Sequence, residues 1–371
     1  MKPEFMLRAL ALAEKARGRT SPNPLVGAVL IKNGKIIAEG FHEKAGKDHA
    51  EIVAIKKARA NAKGATLYIT LEPCSHHGKT PPCADAVIEA GIAKVVIATP
   101  DPNPLVSGKG IARLKKAGLT VMVGLLQKEA RQLNEGWSKF ITQNIPYVTL
   151  KAACSLDGKI AAEDGTSKWI SNELSRVKVH EMRAASDAIM VGVNTLLKDD
   201  PRLNVRLKKK DNIRYPLRVI VDTGLDTSPA ASVLHSVGGK VIIATASDNS
   251  RRAKALEEEG ATVLRLPEKN KRVNLKELMV ELGKRGVVNL LLEGGAELYT
   301  AALNEGIVDK LALFYAPVLL GGSGRFSVFG GAGVKGITGA IKIDNMTVTP
   351  IGDDRQTKYK TNFLIEGYII R

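Results

Sequence analysis

Three side chains constrain this chain's fold more than any stretch of its hydrophobic pattern: His49, Cys74 and Cys83, with Glu51 two residues after the histidine and Pro73 just before the first cysteine. One imidazole and two thiolates fill three positions around a zinc ion and leave the fourth for water. Such a metal lowers the pKa of that water to about 7, so a hydroxide is available at neutral pH. A carboxylate that stays off the metal, here Glu51, then has a proton to carry from the water to a departing group. The fold must bring these residues to one point.

A His-x-Glu followed by Pro-Cys and a further cysteine is the pattern of the zinc deaminases of nucleobases. The spacing departs from their usual Cys-x-x-Cys, because Ser75 to Pro82 separates the two cysteines. A longer loop still closes on one metal, since each doubling of its length costs only about 0.6 kcal/mol, and Pro81-Pro82 limits the freedom that closure removes. The competing reading is of two ordinary buried thiols. Metal-site spacing outweighs it. His76 and His77 fall inside the insert, and either is a replacement ligand, a substrate contact or an exposed loop residue.

At 371 residues the natural division is into two domains, and 44% hydrophobic residues suits globular cores. Two of the three cysteines are claimed by the metal, which leaves Cys154 without a partner. A reducing cytoplasm is therefore expected, and a disulfide scaffold is not. Residues 5–13 read as an amphipathic helix interrupted by Arg8, not as a secretion signal. No stretch approaches the roughly 20 apolar residues of a membrane span. The net charge of +17 raises nucleic acid as a partner. Aromatic residues at 4% leave few stacking platforms, and the longest basic run is Lys208-Lys209-Lys210, so no nucleic-acid partner is expected.

The first half alternates strand and helix. Residues 27–32 and 35–40 form a hairpin around Asn33-Gly34. Asp48 is positioned to cap a helix carrying His49 and Glu51 in its first turn. Strands are expected at 66–71, 94–98 and 120–123, with a helix at 84–90 and another at 128–140. A boundary at Asn144-Ile145-Pro146 separates domains 1–145 and 146–371. The second half is again α/β, with strands at 147–153, 188–191, 217–222, 240–245, 262–266, 289–293 and 310–316, and β-type runs around Thr347 and Phe363.

Two motifs are decoys. Gly331 to Gly336 spells a dinucleotide fingerprint, but Ile337 to Ile341 make a poor helix start, so it reads as a loop. Gly78-Lys79-Thr80 lacks the upstream glycine of a phosphate-binding loop. A better phosphate site is the apolar strand that ends at Glu293-Gly294-Gly295 and turns into a helix. Arg183, Arg202 and Arg206 are candidate phosphate clamps, with ordinary surface arginine as the alternative. Lys151 sits inside an apolar strand and reads as facing a cleft or as an edge-strand lysine.

Together these strings resemble the bifunctional riboflavin-biosynthesis deaminase/reductase family of bacteria over essentially the whole chain. The matching segments are Ser21-Pro22-Asn23-Pro24-Leu25-Val26-Gly27, His49-Ala50-Glu51 and the stretch from Glu72 to Cys83, then Lys151 to Lys159, Asp199-Asp200-Pro201-Arg202-Leu203 and Glu293-Gly294-Gly295. The resemblance implies an α/β chain: a cytidine-deaminase-like three-layer sandwich followed by a dihydrofolate-reductase-like domain. It implies hydrolysis of the 2-amino group of 2,5-diamino-6-(ribosylamino)pyrimidin-4-one 5′-phosphate, then reduction of the ribosyl unit to ribityl by NADPH.

Carried over by position, His49, Cys74 and Cys83 hold Zn²⁺ and Glu51 moves the proton, while Asn23, His42, His76 and Lys79 contact the pyrimidine or its phosphate. Ala153, Trp169, Thr195, Asp199, Thr223 and Gly295 match nicotinamide-cofactor positions. Trp169 as core and Thr195 as a helix cap are the plain alternatives. Ser167, Arg183, Leu203, Arg206 and Glu293 match substrate positions, and Lys151 is a catalytic partner in the reduction. The expected partner is a phosphorylated pyrimidine, with no membrane and with assembly into a homo-oligomer. The rivals are a nucleobase or transfer-RNA deaminase with an accessory basic domain, and a nucleic-acid-binding module with a structural zinc, which needs a fourth protein ligand.

Overall fold

The computed structural model describes residues 2–75, 82–104, 106–207, 214–322, 324–352 and 361–370. His76, His77, Lys79 and the Lys208-Lys209-Lys210 run lie outside these residues. The chain separates into two compact units, Met1–Asn144 and Ile145–Arg371.

The first unit is built on five strands. β1 (Gly27–Lys32) and β2 (Lys35–Phe41) form the expected hairpin. Asn33 and Gly34 both take positive φ, 52° and 74°, as a two-residue turn matched to strand twist requires. β3 (Thr66–Leu71), β4 (Lys94–Thr99) and β5 (Thr120–Val123) complete a sheet in the order β2-β1-β3-β4-β5, antiparallel from β2 to β3 and parallel from β3 to β5. Alternate residues of each strand point to opposite faces. Leu67, Ile69, Val95 and Ile97 pack under α2 (Ala50–Ala58), α3 (Cys83–Glu89) and α4 (Lys109–Lys116). Tyr68, Val96 and Ala98 pack under α1 (Pro3–Glu14) and α5 (Gln127–Leu133). The result is a three-layer sandwich.

Two local expectations fail here. The helix anticipated at 128–140 is two, α5 and α6 (Glu135–Gln143), broken at Asn134. The Asn134 side chain accepts the Leu25 N–H and donates to the Leu25 carbonyl, both at 2.8 Å, and this strand-like pairing pulls the residue out of helical geometry. Asp48 does not cap α2. Its carboxylate pairs with Lys56 at 2.6 Å, and His49 occupies the N-cap position with extended backbone.

The second unit carries nine strands in the order β10-β9-β8-β7-β13-β6-β14-β16-β15. In chain order these are β6 (Tyr147–Ser155), β7 (Ala188–Gly192), β8 (Leu217–Val221), β9 (Val241–Thr245), β10 (Thr262–Arg265), β13 (Asn289–Gly294), β14 (Lys310–Ala316), β15 (Ile343–Ile351) and β16 (Asn362–Ile369). A small separate hairpin supplies β11 (Glu268–Lys269) and β12 (Arg272–Val273). Strands β10 to β14 run parallel, and the β16-β15 pair adds antiparallel to β14.

The unit's helices are α7 (Glu173–Ala185), α8 (Val193–Asp199), α9 (Ser232–His235), α10 (Ser250–Glu258), α11 (Leu275–Lys284) and α12 (Ala296–Asn304). On one face Val148, Leu150, Leu290 and Leu292 pack against α11 and α12. On the other, Ile189, Ile220 and Ile243 pack against α8 and α10, while Phe314 and Ala153 meet Val179 and Met182 of α7. Gly331 to Gly336 belongs to no strand or α-helix, as the loop reading requires.

Candidate active sites

In the first unit three backbone ends converge. His49 is the N-cap of α2, Glu51 the second residue of that helix, Cys74 lies three residues beyond β3, and Cys83 opens α3. His49 Nδ1 is 3.1 Å from Cys83 Sγ and 4.0 Å from Cys74 Sγ, and all three ligand atoms lie within 4.8 Å of one another. Tetrahedral zinc with bonds of about 2.0 Å to nitrogen and about 2.3 Å to sulfur separates its ligand atoms by roughly 3.5–3.8 Å. The donor set therefore fits the ion. The Cys83 N–H also donates to Cys74 Sγ at 3.3 Å, which favours the thiolate there. Hydrogen bonding from Cys83 and His49, against the opposing effect of burial, holds the Cys74 thiol down at about 4. The shared proton on Cys83 raises that thiol, and burial adds to the effect.

Glu51 is 3% exposed and its Oε2 has no hydrogen-bond partner among the described residues, a costly arrangement unless something else occupies the site. Burial pushes its carboxyl up. His42, also buried, lies edge-on to His49 with ring centroids 5.3 Å apart. Its Nδ1 donates to the Asp48 carbonyl at 3.1 Å, which leaves Nε2 to accept from Asn23 Nδ2 at 3.1 Å. Asn23 and His42 are thus one hydrogen-bonded pair beside the metal ligands.

The sequence reading missed Glu72. Its buried carboxylate accepts the N–H groups of Asp101, Gly108 and Ile111 at 3.0–3.1 Å, and so secures the chain just before Pro73-Cys74. Gly110 must lack a side chain, because a Cβ there would run into the Pro73 carbonyl. The available signal was the acidic residue abutting Pro-Cys.

In the second unit the cofactor candidates gather at the carboxyl edge of the parallel sheet, where ligands of open α/β sheets bind. Ala153 is near the end of β6, Thr195 follows β7 in α8, Thr223 follows β8, and Gly295 follows β13. Gly295 has φ +95°, no side chain caps α12, and a Cβ on Gly294 would meet Thr195 Cγ2 and Oγ1 at 3.0 Å. This cradle suits a phosphate-bearing cofactor, because backbone N–H groups at the start of a helix are open to it. Asp199 ends α8 and is exposed. Trp169 is 71% exposed, with the Arg176 guanidinium 4.4 Å above its ring, so it is not a core residue.

The substrate candidates cluster beside α7. Arg183 donates to both oxygens of Glu293 at 2.6 Å and to the Asn204 carbonyl at 3.0 Å, so its fork is spent on the protein. Glu293 falls where the β13–β7 register shifts, and such a bulge re-aims a side chain. Lys151 on β6 is close enough to feel both charges. Burial lowers its pKa, with Arg183 adding to the effect and Glu293 opposing it. Its Nζ lies 5.9 Å from the Phe314 ring centre. Arg206 and Ser167 are near the surface. The Leu203 side chain is 3% exposed within the core, so only its backbone is open to a ligand. His180 belongs to this cluster and was not anticipated.

A model of the RibD C-terminal domain matches residues 146–357, and one of the cytidine and deoxycytidylate deaminase zinc-binding region matches residues 1–99. The riboflavin biosynthesis protein RibD of Aquifex aeolicus is 45% identical over 94% of this chain and 96% of its own length. The chain belongs to the RibD family. The Escherichia coli RibD is 42% identical over 86% of this chain and 89% of its own. The solved RibD of Acinetobacter baumannii superposes with a TM-score of 0.86 at 36% identity, covering 100% of this chain and 99% of that one. A solved diaminohydroxyphosphoribosylaminopyrimidine deaminase/5-amino-6-(5-phosphoribosylamino)uracil reductase from Thermotoga maritima gives 0.84 at 38% identity, covering 99% and 98%. As a RibD-family member the chain is a bifunctional deaminase and reductase of riboflavin biosynthesis, dependent on zinc and NADPH.

Proposed function

We propose that residues 1–145 deaminate a diaminohydroxyphosphoribosylaminopyrimidine and that residues 146–371 reduce the resulting 5-amino-6-(5-phosphoribosylamino)uracil, the two activities for which the Thermotoga maritima relative is named. One observation carries the reading: a buried carboxylate oxygen of Glu51 without a partner among the described residues, beside three ligand atoms spaced for one metal. His49, Cys74 and Cys83 would hold zinc, whose contribution when bound is the acidification of water. Glu51 takes the proton from that water and delivers it to the leaving amine, so the ring exchanges an amino group for oxygen and ammonia departs. Asn23 and His42, with His76 and Lys79, orient the pyrimidine and its phosphate.

In the second unit Ala153, Trp169, Thr195, Asp199, Thr223 and Gly295 bind NADPH, which supplies a hydride when bound. Ser167, Arg183, Leu203, Arg206 and Glu293 line the site of the ribosyl phosphate, with the Arg206 guanidinium turned to the phosphate and Arg183 holding Glu293 and the Asn204 carbonyl in place. Lys151 polarises the open-chain sugar function that receives the hydride, and a proton completes the reduction. The apolar edge strand β15, with Met346 57% and Val348 59% exposed, supports assembly with a second copy of the chain. Free thiols at Cys74, Cys83 and Cys154 support a cytoplasmic setting. No helix among the described residues is long and apolar enough to cross a membrane. We assign no nucleic-acid partner.

The test supplies the diaminopyrimidine phosphate with and without NADPH and identifies products by mass. Without NADPH, one nitrogen should be exchanged for oxygen; with it, two hydrogens should be gained as well. An unchanged substrate in both arms overturns the reading.

A further inference from the structure

His180 lies on α7, one helical turn before Arg183, with its ring half-buried. The Arg206 backbone N–H donates to His180 Nδ1 at 3.3 Å. An Nδ1 that accepts carries no proton, so the ring is the neutral tautomer with its hydrogen on Nε2. Around it stand Arg183 from the same helix, Arg206 from the loop after α8, Lys151 from β6 and Glu293 from β13. Glu293 is already neutralised by two bonds from Arg183. The surroundings are therefore net positive, and protonating the imidazole would add a further cation to them.

The loop held by this contact carries much of the substrate site. The segment from Asp200 to Arg206 is held at four of its residues. Asp200 accepts from the Ser232 N–H at 2.8 Å and, through its other oxygen, from the Ser232 hydroxyl. The Arg202 carbonyl accepts from Arg218 Nη1 at 3.4 Å, and the Asn204 carbonyl accepts from Arg183. The His180 bond is the last anchor, directly at Arg206. Arg206 is exposed, and no carboxylate among the described residues pairs with it, so its guanidinium is open to a phosphate.

We propose that His180 is a positioning residue of the reductase site: an imidazole that accepts from the Arg206 N–H, fixes that backbone and so aims the Arg206 guanidinium at the sugar phosphate. The inference rests on the second unit being the uracil reductase. It assigns His180 no proton transfer. Burial first, then the Arg183 and Arg206 charges, lowers its pKa to about 4, so the acceptor on Nδ1 persists through the neutral range.

The test is made on the full-length protein with the phosphoribosylaminouracil and NADPH, resolving kcat and KM for wild type, His180→Ala, His180→Asn and His180→Gln. An asparagine oxygen reaches where Nδ1 sits, whereas a glutamine amide reaches toward Nε2. His180→Ala should raise KM for the uracil about three- to tenfold, the equivalent of one lost hydrogen bond, with kcat and KM for NADPH little changed. Asn should restore the wild-type KM and Gln should not. Amide exchange at Arg206, followed by mass spectrometry, should quicken in His180→Ala and return to normal in His180→Asn. That readout needs no turnover, so it decides the contact even if the uracil proves not to be a substrate. An unchanged KM, a fall in kcat alone, equal rescue by Gln, or unaltered exchange at Arg206 overturns the proposal.

Discussion

Arg183 reaches across 110 residues of sequence to grip Glu293 with two parallel hydrogen bonds of 2.6 Å, and the two side chains are only 13% and 5% exposed. A bidentate pair this buried is expensive to break from one side, because the survivor keeps its charge without compensation. Glu293→Gln should therefore destabilise the second unit by about 3–5 kcal/mol at neutral pH, read as a lower urea midpoint. Burial alone would raise the Glu293 carboxyl, but Arg183 outweighs it and the folded-state pKa lies below the usual value. The contribution is then complete above the unfolded pKa of about 4.3 and is lost as the pH falls through the lower folded value. The gap between wild type and Glu293→Gln should stay constant from neutral pH down to the unfolded pKa and close as the pH falls from there through the folded value.

Lys151 faces the same pair but forms no ion pair with Glu293 among the contacts of 4.0 Å or less within the described residues. Burial disfavours its charged form, so the folded protein gains little stability from keeping it. Lys151→Met should leave the urea midpoint unchanged or raise it. Reduction of the uracil should fall by about 10²–10⁴, the usual worth of a positioned acid or base, while deamination continues. Full NADPH oxidation by this variant would remove Lys151 from the chemistry.

Glu51 offers the complementary separation in the first unit. Glu51→Gln keeps the shape of the side chain beside His49, Cys74 and Cys83 but abolishes its capacity to take a proton. Bound zinc, counted by plasma emission spectroscopy, should equal that of wild type. Deamination should drop by about 10²–10⁴. Loss of the metal together with the activity would instead mark Glu51 as a ligand and the site as structural.

The metal-site residues were legible because residue type and short spacing carry the chemistry: few roles other than ligation explain His49, Cys74 and Cys83 in that order. The strands were legible too, since runs such as Leu290 to Leu292 have the apolar continuity of buried parallel strands. In the proposed reductase site, residue type singled out Lys151, Arg183, Arg206 and the Glu293-Gly294-Gly295 turn one by one, but not that they belong together. Its members come from β6, α7, a loop and β13, and nothing local in the sequence marks His180 or pairs Arg183 with Glu293. The break between α5 and α6 was hidden for the same reason, because the bonds from Asn134 to Leu25 span 109 residues. Side chains whose role is to hold another segment are invisible until the segment is in place. Glu72, which secures Asp101, Gly108 and Ile111 beside Pro73, shows the same thing.

The turn after β13 gives a prediction about space alone. A Cβ on Gly294 would stand 3.0 Å from Thr195 Cγ2 and Oγ1 but 3.4 Å from Thr195 Cβ. Gly294→Ala should therefore cost about 1–3 kcal/mol by overpacking and weaken NADPH binding, because the cradle is pushed apart. Thr195→Ala removes the two close atoms. The double variant should regain most of the loss, with a coupling of about 0.5–3 kcal/mol of opposite sign to the single cost. Gly295→Ala is the control. Its difficulty is a φ of +95°, a region L-residues avoid, and its nearest neighbours lie at 3.5 Å or more. Thr195→Ala should give it no relief. Urea midpoints for the four alanine combinations at 294 and 195, with NADPH affinity from fluorescence titration, decide between steric crowding and backbone strain. Purely additive effects at 294 and 195 would show that Thr195 moves aside freely and that the glycine is kept for another reason.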